Sequence, residues 1–177
     1  MEITKQFLRR GRDFNRNGNK LMSPSSIGLY DLKNNLPKMN AFSIAAHQDQ
    51  CITTVFHFII DGNGNIIQTV PINECAKIMP SQGEISILIV PEKEDGSLSK
   101  VQTENLCDLL LYIKEHTEIE TLKEFNVRAF DNPEDFAALE NVLINGKPKE
   151  EIDWTKVNPF LAGWWNFPMG FPTGVTK

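Results

Sequence analysis

Three histidines and three cysteines are the side chains best suited to hold a metal or to act as nucleophiles, and they are spread widely through the chain: His47, His57, His116, Cys51, Cys75 and Cys107. Their spacing matches no metal motif, and no two cysteines form a CxxC pair. The cysteines are also odd in number, so neither a zinc knuckle nor a disulfide framework is indicated. We therefore expect buried free thiols and no cofactor built from these residues.

A turn rich in Asp, Asn and Gly over Asp61–Asn65 is superficially similar to a calcium loop. Ile66 stands where such a loop requires glycine, and Ile72 where it requires a bidentate acid, so calcium binding is not expected. Ser86 and Cys107 lie in segments that should be buried, with no base placed beside them by sequence. No nucleophile is therefore indicated.

The elements that would position these side chains begin with three apolar segments that predict strands: 27–32, 84–90 and 125–129. The second is nearly all apolar, as expected of a central strand covered on both faces. Between Thr53 and Pro71, two runs of β-branched and aromatic residues flank an Asp-Gly-Asn-Gly-Asn turn, which predicts a β-hairpin. Glycine adopts positive φ freely and Asn tolerates it, so the turn suits a tight reversal.

Helical periodicity predicts three helices. Residues 39–47 place Phe42, Ala45 and Ala46 on one face. Residues 99–116 carry an apolar stripe of Val101, Leu106, Leu109, Leu110 and Ile113. A third helix should begin after an Asn132 cap with Pro133 at its first position, end at Gly146, and bury Phe136, Leu139, Val142 and Leu143. Strands alternating with helices indicate an α/β fold, a central mixed β-sheet flanked by helices.

Composition divides the chain into a polar N-terminal arm (1–26), a domain (27–149) and a C-terminal tail (150–177). Proline and glycine break the tail, so no long helix is expected there. It nevertheless concentrates aromatic residues that must dock on a surface and form a candidate interface with a protein partner or a second copy: Trp154, Phe160, Trp164, Trp165, Phe167 and Phe171.

Length and charge limit the classes of function. A chain of 177 residues is long enough for one domain with a sizeable core. The net charge of −5 disfavours nucleic acid as a partner, and no apolar run is long enough to span a bilayer. Charges within the first residues stand where a signal peptide needs its apolar core, so we expect cytoplasmic synthesis without Sec export.

Followed by Pro71–Ala76, the hairpin resembles the central hairpin of the zinc-dependent N-acetylmuramoyl-L-alanine amidases, and Glu2–Leu8 is similar to that family's opening. The family cleaves the amide bond between the glycan and the stem peptide of bacterial cell wall. The resemblance implies the same α/β architecture. It also implies one zinc held by two histidines and a third ligand, commonly cysteine or aspartate, with a water at the open position.

The positions that correspond to these ligands carry other residues. The first histidine follows the early strand, where this chain has Tyr30, and the second follows the late strand, where it has Phe130. The nearest match to the third-ligand loop, Asn145–Lys149, contains no ligand. Phenylalanine cannot bind zinc, and a phenol that titrates near pH 10 is a poor ligand at neutral pH. No zinc is therefore expected.

The resemblance implies a degenerate, endolysin-like member that acts by binding peptidoglycan fragments or a protein partner and does not hydrolyse the cell wall. Its candidate cleft residues are Tyr30, Asp31, Phe56, His57, Phe130 and Asp131. Two alternatives stay open. The chain is a structural component of a bacteriophage or phage-derived particle built on the amidase fold, or it is an active zinc amidase whose ligands are not recognised.

Overall fold

The computed structural model describes residues 1–7, 23–31, 40–48, 56–76 and 83–147. These residues form a six-stranded mixed sheet with helices on both faces, as predicted. In chain order the elements are β1 (Ile3–Lys5), β2 (Ser26–Asp31), α1 (Ala41–Gln48), β3 (Phe58–Ile60), β4 (Ile66–Gln68), β5 (Glu84–Ile89), α2 (Lys100–Thr117), β6 (Leu122–Phe125), a short 3₁₀ turn (Arg128–Phe130) and α3 (Pro133–Asn145).

The strands lie in the order β1-β4-β3-β5-β2-β6. β3 and β4 form the predicted antiparallel hairpin, and the other neighbouring strands are parallel. β5 lies between β3 and β2 with all six residues buried, which confirms the central strand expected from its composition. Ile3–Lys5, within the predicted arm, pairs with β4 and forms one edge of the sheet.

Side-chain alternation along the strands separates two hydrophobic cores, one on each face of the sheet. The larger core contains Ile27 and Leu29 of β2 and packs against α2 and α3. The smaller core contains Ile59, Ile67 and Leu88 and packs against α1, with Tyr30 at its border. Because neighbouring residues of a strand point to opposite faces, Leu29 and Tyr30 belong to different cores.

Local capping signals fix the helix ends as expected. The Ser99 side chain accepts a hydrogen bond from the Gln102 N–H, and the Gln102 side chain accepts one from the Ser99 backbone N–H, which completes a capping box at α2. The Asn132 side chain caps α3 by accepting a hydrogen bond from the Glu134 N–H. Pro133 lies in the first turn of α3, and Gly146 follows its last residue.

The predicted buried faces are correct in part. Leu139, Val142 and Leu143 are buried in α3, but Val101 of α2 is 47% exposed and Phe42 of α1 is 42% exposed. The expected burial of Val101 was wrong, because the buried face of α2 begins at Gln102 and Thr103. Phe42 lies off the face of α1 that Ala41, Ile44 and Ala45 bury.

The late strand lies earlier than predicted. β6 ends at Phe125, and Asn126 adopts a left-handed conformation with φ 56°. The Glu124 side chain then accepts a hydrogen bond from the Val127 N–H at 2.9 Å, and the chain turns into Arg128–Phe130. The predicted strand over 125–129 was therefore wrong, because a left-handed residue ends strand geometry.

Several expectations fall outside the described residues. The six aromatic residues of the candidate tail interface lie there, as does Cys51. Within the described part of the chain, Cys107 is a buried free thiol, and Cys75 is partly buried. No described helix is both long enough and apolar enough to cross a bilayer.

Candidate functional site

Tyr30 lies near the carboxyl end of β2, half-buried, at the border of the smaller core. Its ring stacks on Phe125 with a centroid distance of 4.7 Å and an interplanar angle of 13°. It also contacts Phe56 in a tilted arrangement at 5.4 Å. The parallel register that pairs Tyr30 with Phe125 brings the two rings together, so the aromatic cluster depends on the β2–β6 pairing.

The Tyr30 phenol donates a short hydrogen bond to the carboxylate of Glu84, the first residue of β5. Glu84 is only 3% exposed. Its carboxyl group lies directly over Gly28, so a side chain at this position would have to displace the Glu84 carboxyl. Burial raises the pKa of Glu84, and burial together with the neighbouring Glu84 raises the pKa of Tyr30.

Lys123 of β6 lies on the same face of the sheet as Tyr30. It is exposed and pairs in register with Gly28, and its positive charge lowers the pKa of Glu84, although burial outweighs that effect. Phe125, two residues further on and therefore on the same face, is 38% exposed. We call this surface the tyrosine face: Tyr30, Phe56, Glu84, Lys123 and Phe125.

His57 is completely buried. The Ser86 N–H donates to its Nδ1 at 3.0 Å, which leaves Nε2 protonated to donate to the Glu74 carbonyl at 2.7 Å. Burial lowers the pKa of His57 to about 4, so the ring is neutral near pH 7. With both nitrogens bonded, His57 joins the hairpin to β5 and to the segment after β4.

Asp31 closes the end of β2. Its side chain is fully buried and accepts from Arg128 Nε at 2.9 Å, Nη2 at 3.1 Å and the backbone N–H at 2.9 Å. Arg128 also donates to the Glu94 carbonyl at 3.0 Å. This ion pair ties β2 to the 3₁₀ turn and to the loop before α2. Asp131, just after that turn, is exposed.

The remaining two candidate cleft residues are core side chains. Phe130 is 4% exposed and belongs to the larger core, where its ring contacts Phe136 at 6.0 Å. Phe56 is 8% exposed and belongs to the smaller core. Tyr30 and Phe130 therefore border different cores, and of the six candidates only Tyr30 and Asp131 present appreciable surface to a ligand.

The residues at the two expected histidine positions do not fit a zinc ion. The Tyr30 phenol keeps its proton and donates a hydrogen bond to Glu84, and the Phe130 ring offers no lone pair. Over the described ranges, no three His, Cys, Asp or Glu side chains are grouped closely enough to hold a metal. The polar chemistry of the face is that of a protonated phenol, a buried carboxyl and an exposed ammonium.

No family model matches the chain, and no curated protein matches it in sequence. Solved structures do match. PlyL superposes with a TM-score of 0.65 at 18% identity, covering 84% of this chain and all of PlyL. The endolysin N-acetylmuramoyl-L-alanine amidase LysCS of Clostridium intestinale has a TM-score of 0.59 at 20% identity, covering 82% of this chain and 97% of LysCS. The chain has the endolysin amidase fold. This confirms the fold that the hairpin resemblance implied. The PlyG catalytic domain has the same fold, with a TM-score of 0.64 at 19% identity over 82% of this chain and 95% of that domain.

Sequence reasoning missed Glu84, Lys123 and Phe125 as members of the site. Glu84 carried one signal, an acid at the head of an otherwise apolar strand. Lys123 and Phe125 lie in a segment whose predicted boundary was displaced, and their approach to Tyr30 depends on the β2–β6 register. Within this endolysin amidase fold, the tyrosine face occupies the surface around the first expected ligand position.

Proposed function

We propose that this chain is a non-hydrolytic protein with the endolysin amidase fold that binds peptidoglycan fragments on its tyrosine face. The observation that carries the proposal is the state of Tyr30. At the position expected of a histidine ligand, the Tyr30 phenol donates a hydrogen bond to a buried carboxyl. The Tyr30 ring is packed between Phe56 and Phe125.

Hydrolysis of an amide at neutral pH by a metal centre needs an activated water. Tyr30 offers a protonated oxygen that is already engaged, and its raised pKa keeps it so. The buried Glu84 carboxyl is occupied by the same bond. These contacts support binding through shape and hydrogen bonding in preference to bond cleavage.

The fold supports the choice of ligand class. LysCS, which shares it, is an N-acetylmuramoyl-L-alanine amidase. A half-buried tyrosine beside an exposed phenylalanine and lysine combines an apolar surface with a few polar groups, as small-molecule sites commonly do.

The first experiment measures zinc and hydrolysis together. The full chain, purified without chelator, is expected to contain far less than one zinc per molecule and to release no peptide from purified cell wall. LysCS, assayed on the same substrate, serves as the active control. Stoichiometric zinc with chelator-sensitive release of peptide would overturn the non-hydrolytic part of the proposal.

The second experiment measures binding directly. Titration of muropeptides into the labelled full chain is expected to shift the amide resonances of β2 and β6 around Tyr30 and Phe125, with and without chelator alike. The Tyr30→Ala variant should lose these shifts, while the Phe42→Ala variant, which removes an exposed aromatic ring on α1, should keep them. Absence of shifts at millimolar ligand would reject peptidoglycan binding and favour an assembly role.

A further inference from the structure

Lys123 is an exposed cation at the edge of the sheet, on the face that also carries Tyr30 and Phe125. No ion pair joins it to another residue in the described ranges. The titratable groups that face it from neighbouring strands are the Glu84 carboxyl of β5 and the Tyr30 phenol of β2. An exposed ammonium group beside an exposed aromatic ring can bind an anion that carries an apolar surface.

Glu84 forms no ion pair with Lys123 among the described residues. Its carboxyl is buried over Gly28 and accepts a hydrogen bond from the Tyr30 phenol. The phenol therefore competes with the Lys123 ammonium for this carboxyl. The ammonium group, at the end of a flexible stem, is left able to meet a ligand from solvent.

Phe125 supplies the neighbouring apolar surface. Its ring is held flat against Tyr30 at 4.7 Å, which fixes its orientation without contact from the ligand, and 38% of the residue stays exposed. A preorganised aromatic ring loses little conformational entropy when a ligand packs against it. Strand geometry places Lys123 and Phe125 two residues apart on one face, about 7 Å along the strand. A single small fragment can span that distance.

We propose that Lys123 and Phe125 form an edge subsite for the carboxylate-bearing part of a cell-wall glycopeptide. The ligand carboxylate pairs with the Lys123 ammonium, and an apolar C–H face of the same fragment packs on the Phe125 ring. This inference rests on the proposed function, because it assigns the chemical selectivity of the same face. It predicts that charge on the ligand, and not only its sugar, determines affinity.

The test compares two probes on the full chain by calorimetry or NMR titration. One is a muramoyl dipeptide with free carboxylates, and the other is the same molecule with those carboxylates amidated. The wild-type chain is expected to bind the free acid about three- to tenfold more tightly, as expected of one partly exposed charge-assisted contact. Raising NaCl from low to high concentration should remove most of that difference.

Matched variants separate the subsite from general effects. Lys123→Gln is expected to abolish the preference for the free acid, so that the variant binds the two probes with equal affinity. Lys5→Gln is the control, since Lys5 is an exposed lysine on β1 at the opposite edge of the sheet. Phe125→Leu should weaken both probes about equally, whereas Phe7→Leu, which alters another exposed phenylalanine, should weaken neither.

Each failure has its own signature. If both probes bind the wild type equally, or if Lys123→Gln keeps the preference, the edge subsite is wrong while peptidoglycan binding stands. If neither probe binds at millimolar concentration, the proposed function and the subsite fail together.

Discussion

At the scale of single residues, the contacts of Tyr30 show how its phenol oxygen is satisfied within the protein. A histidine ligand needs a free ring nitrogen, whereas Tyr30 satisfies its oxygen within the protein through Glu84. That bond joins the end of β2 to the start of β5 across Gly28. The pair therefore supplies a cross-strand link at the position where a ligand would be held.

The Tyr30–Glu84 bond is expected to contribute measurably to stability. Tyr30→Phe leaves a buried carboxyl without its donor and should lower the free energy of unfolding by about 1–3 kcal/mol at pH 7. The loss should be smaller in a Glu84→Gln background, because a neutral amide is less costly to leave unpaired. Equal losses in both backgrounds, measured by urea unfolding, would show that the hydrogen bond does not matter.

The same pair gives a pH dependence of known sign. Because the folded pKa of Glu84 is raised above 4.5, its contribution is complete below that pH and is lost as pH rises through the folded pKa. Wild-type stability should therefore fall relative to Glu84→Gln as pH rises. A constant difference between the two proteins from pH 4 to pH 8 would contradict this expectation.

His57 should act in the opposite direction. Its folded pKa of about 4 lies below the ordinary value of 6.5, so its contribution is complete above 6.5 and is lost as pH falls. The difference corresponds to about 3 kcal/mol lost between pH 6.5 and pH 4. The His57 ring resonances should titrate with a pKa of about 4 in the folded chain and near 6.5 in urea. Titration near 6.5 in the folded chain would show that the buried ring is solvated.

At the scale of elements, the hairpin turn organises more than its own two strands. The buried Asp61 carboxylate accepts from the Asn63 and Asn65 backbone N–H groups at 3.0 and 2.9 Å and from Asn65 Nδ2 at 2.8 Å. It also accepts from the Ala41 N–H at 2.7 Å, at the first residue of α1. One side chain thus shapes the turn and caps a helix on the smaller core.

Asp61→Ala should therefore destabilise the whole domain. It leaves several donors without an acceptor, one of them buried at the start of α1, and we expect a loss of about 3 kcal/mol. Asp95→Ala is the matched control, because Asp95 forms a similar turn with Ser97 at an exposed site and should leave the melting temperature unchanged. Equal melting temperatures for the two variants would reject this role for Asp61.

The hairpin and the caps of α2 and α3 were predictable because their signals are local: a turn sequence, a Ser99–Gln102 box and an Asn132–Pro133 start. The late strand was not, because the left-handed Asn126 that ends it carries no distinctive signal. Of the tyrosine face, only Tyr30 and Phe56 were predicted from the sequence. Glu84 and Phe125 reach it through cross-strand register, which depends on the assembled sheet.

At the scale of the whole molecule, the sheet separates two hydrophobic cores. The larger core, between the sheet and α2 and α3, holds the fold together and takes in Phe130. The smaller core lies against α1 and borders the tyrosine face. The residues of the tyrosine face can therefore change while the packing of α2 and α3 on the other side of the sheet preserves the fold.

The aromatic tail, residues 150–177, allows the last prediction. Its six aromatic residues lie outside the described ranges, and burying each would contribute roughly 1.5–3 kcal/mol. We expect the tail to bind a protein partner or a second copy, because its Trp-rich composition is that of interface anchors. A chain ending at Lys149 should melt at the temperature of the full chain but lose self-association, or capture of a partner, in sedimentation experiments. A large fall in melting temperature for a protein that is monomeric at full length would show instead that the tail belongs to the domain's own core.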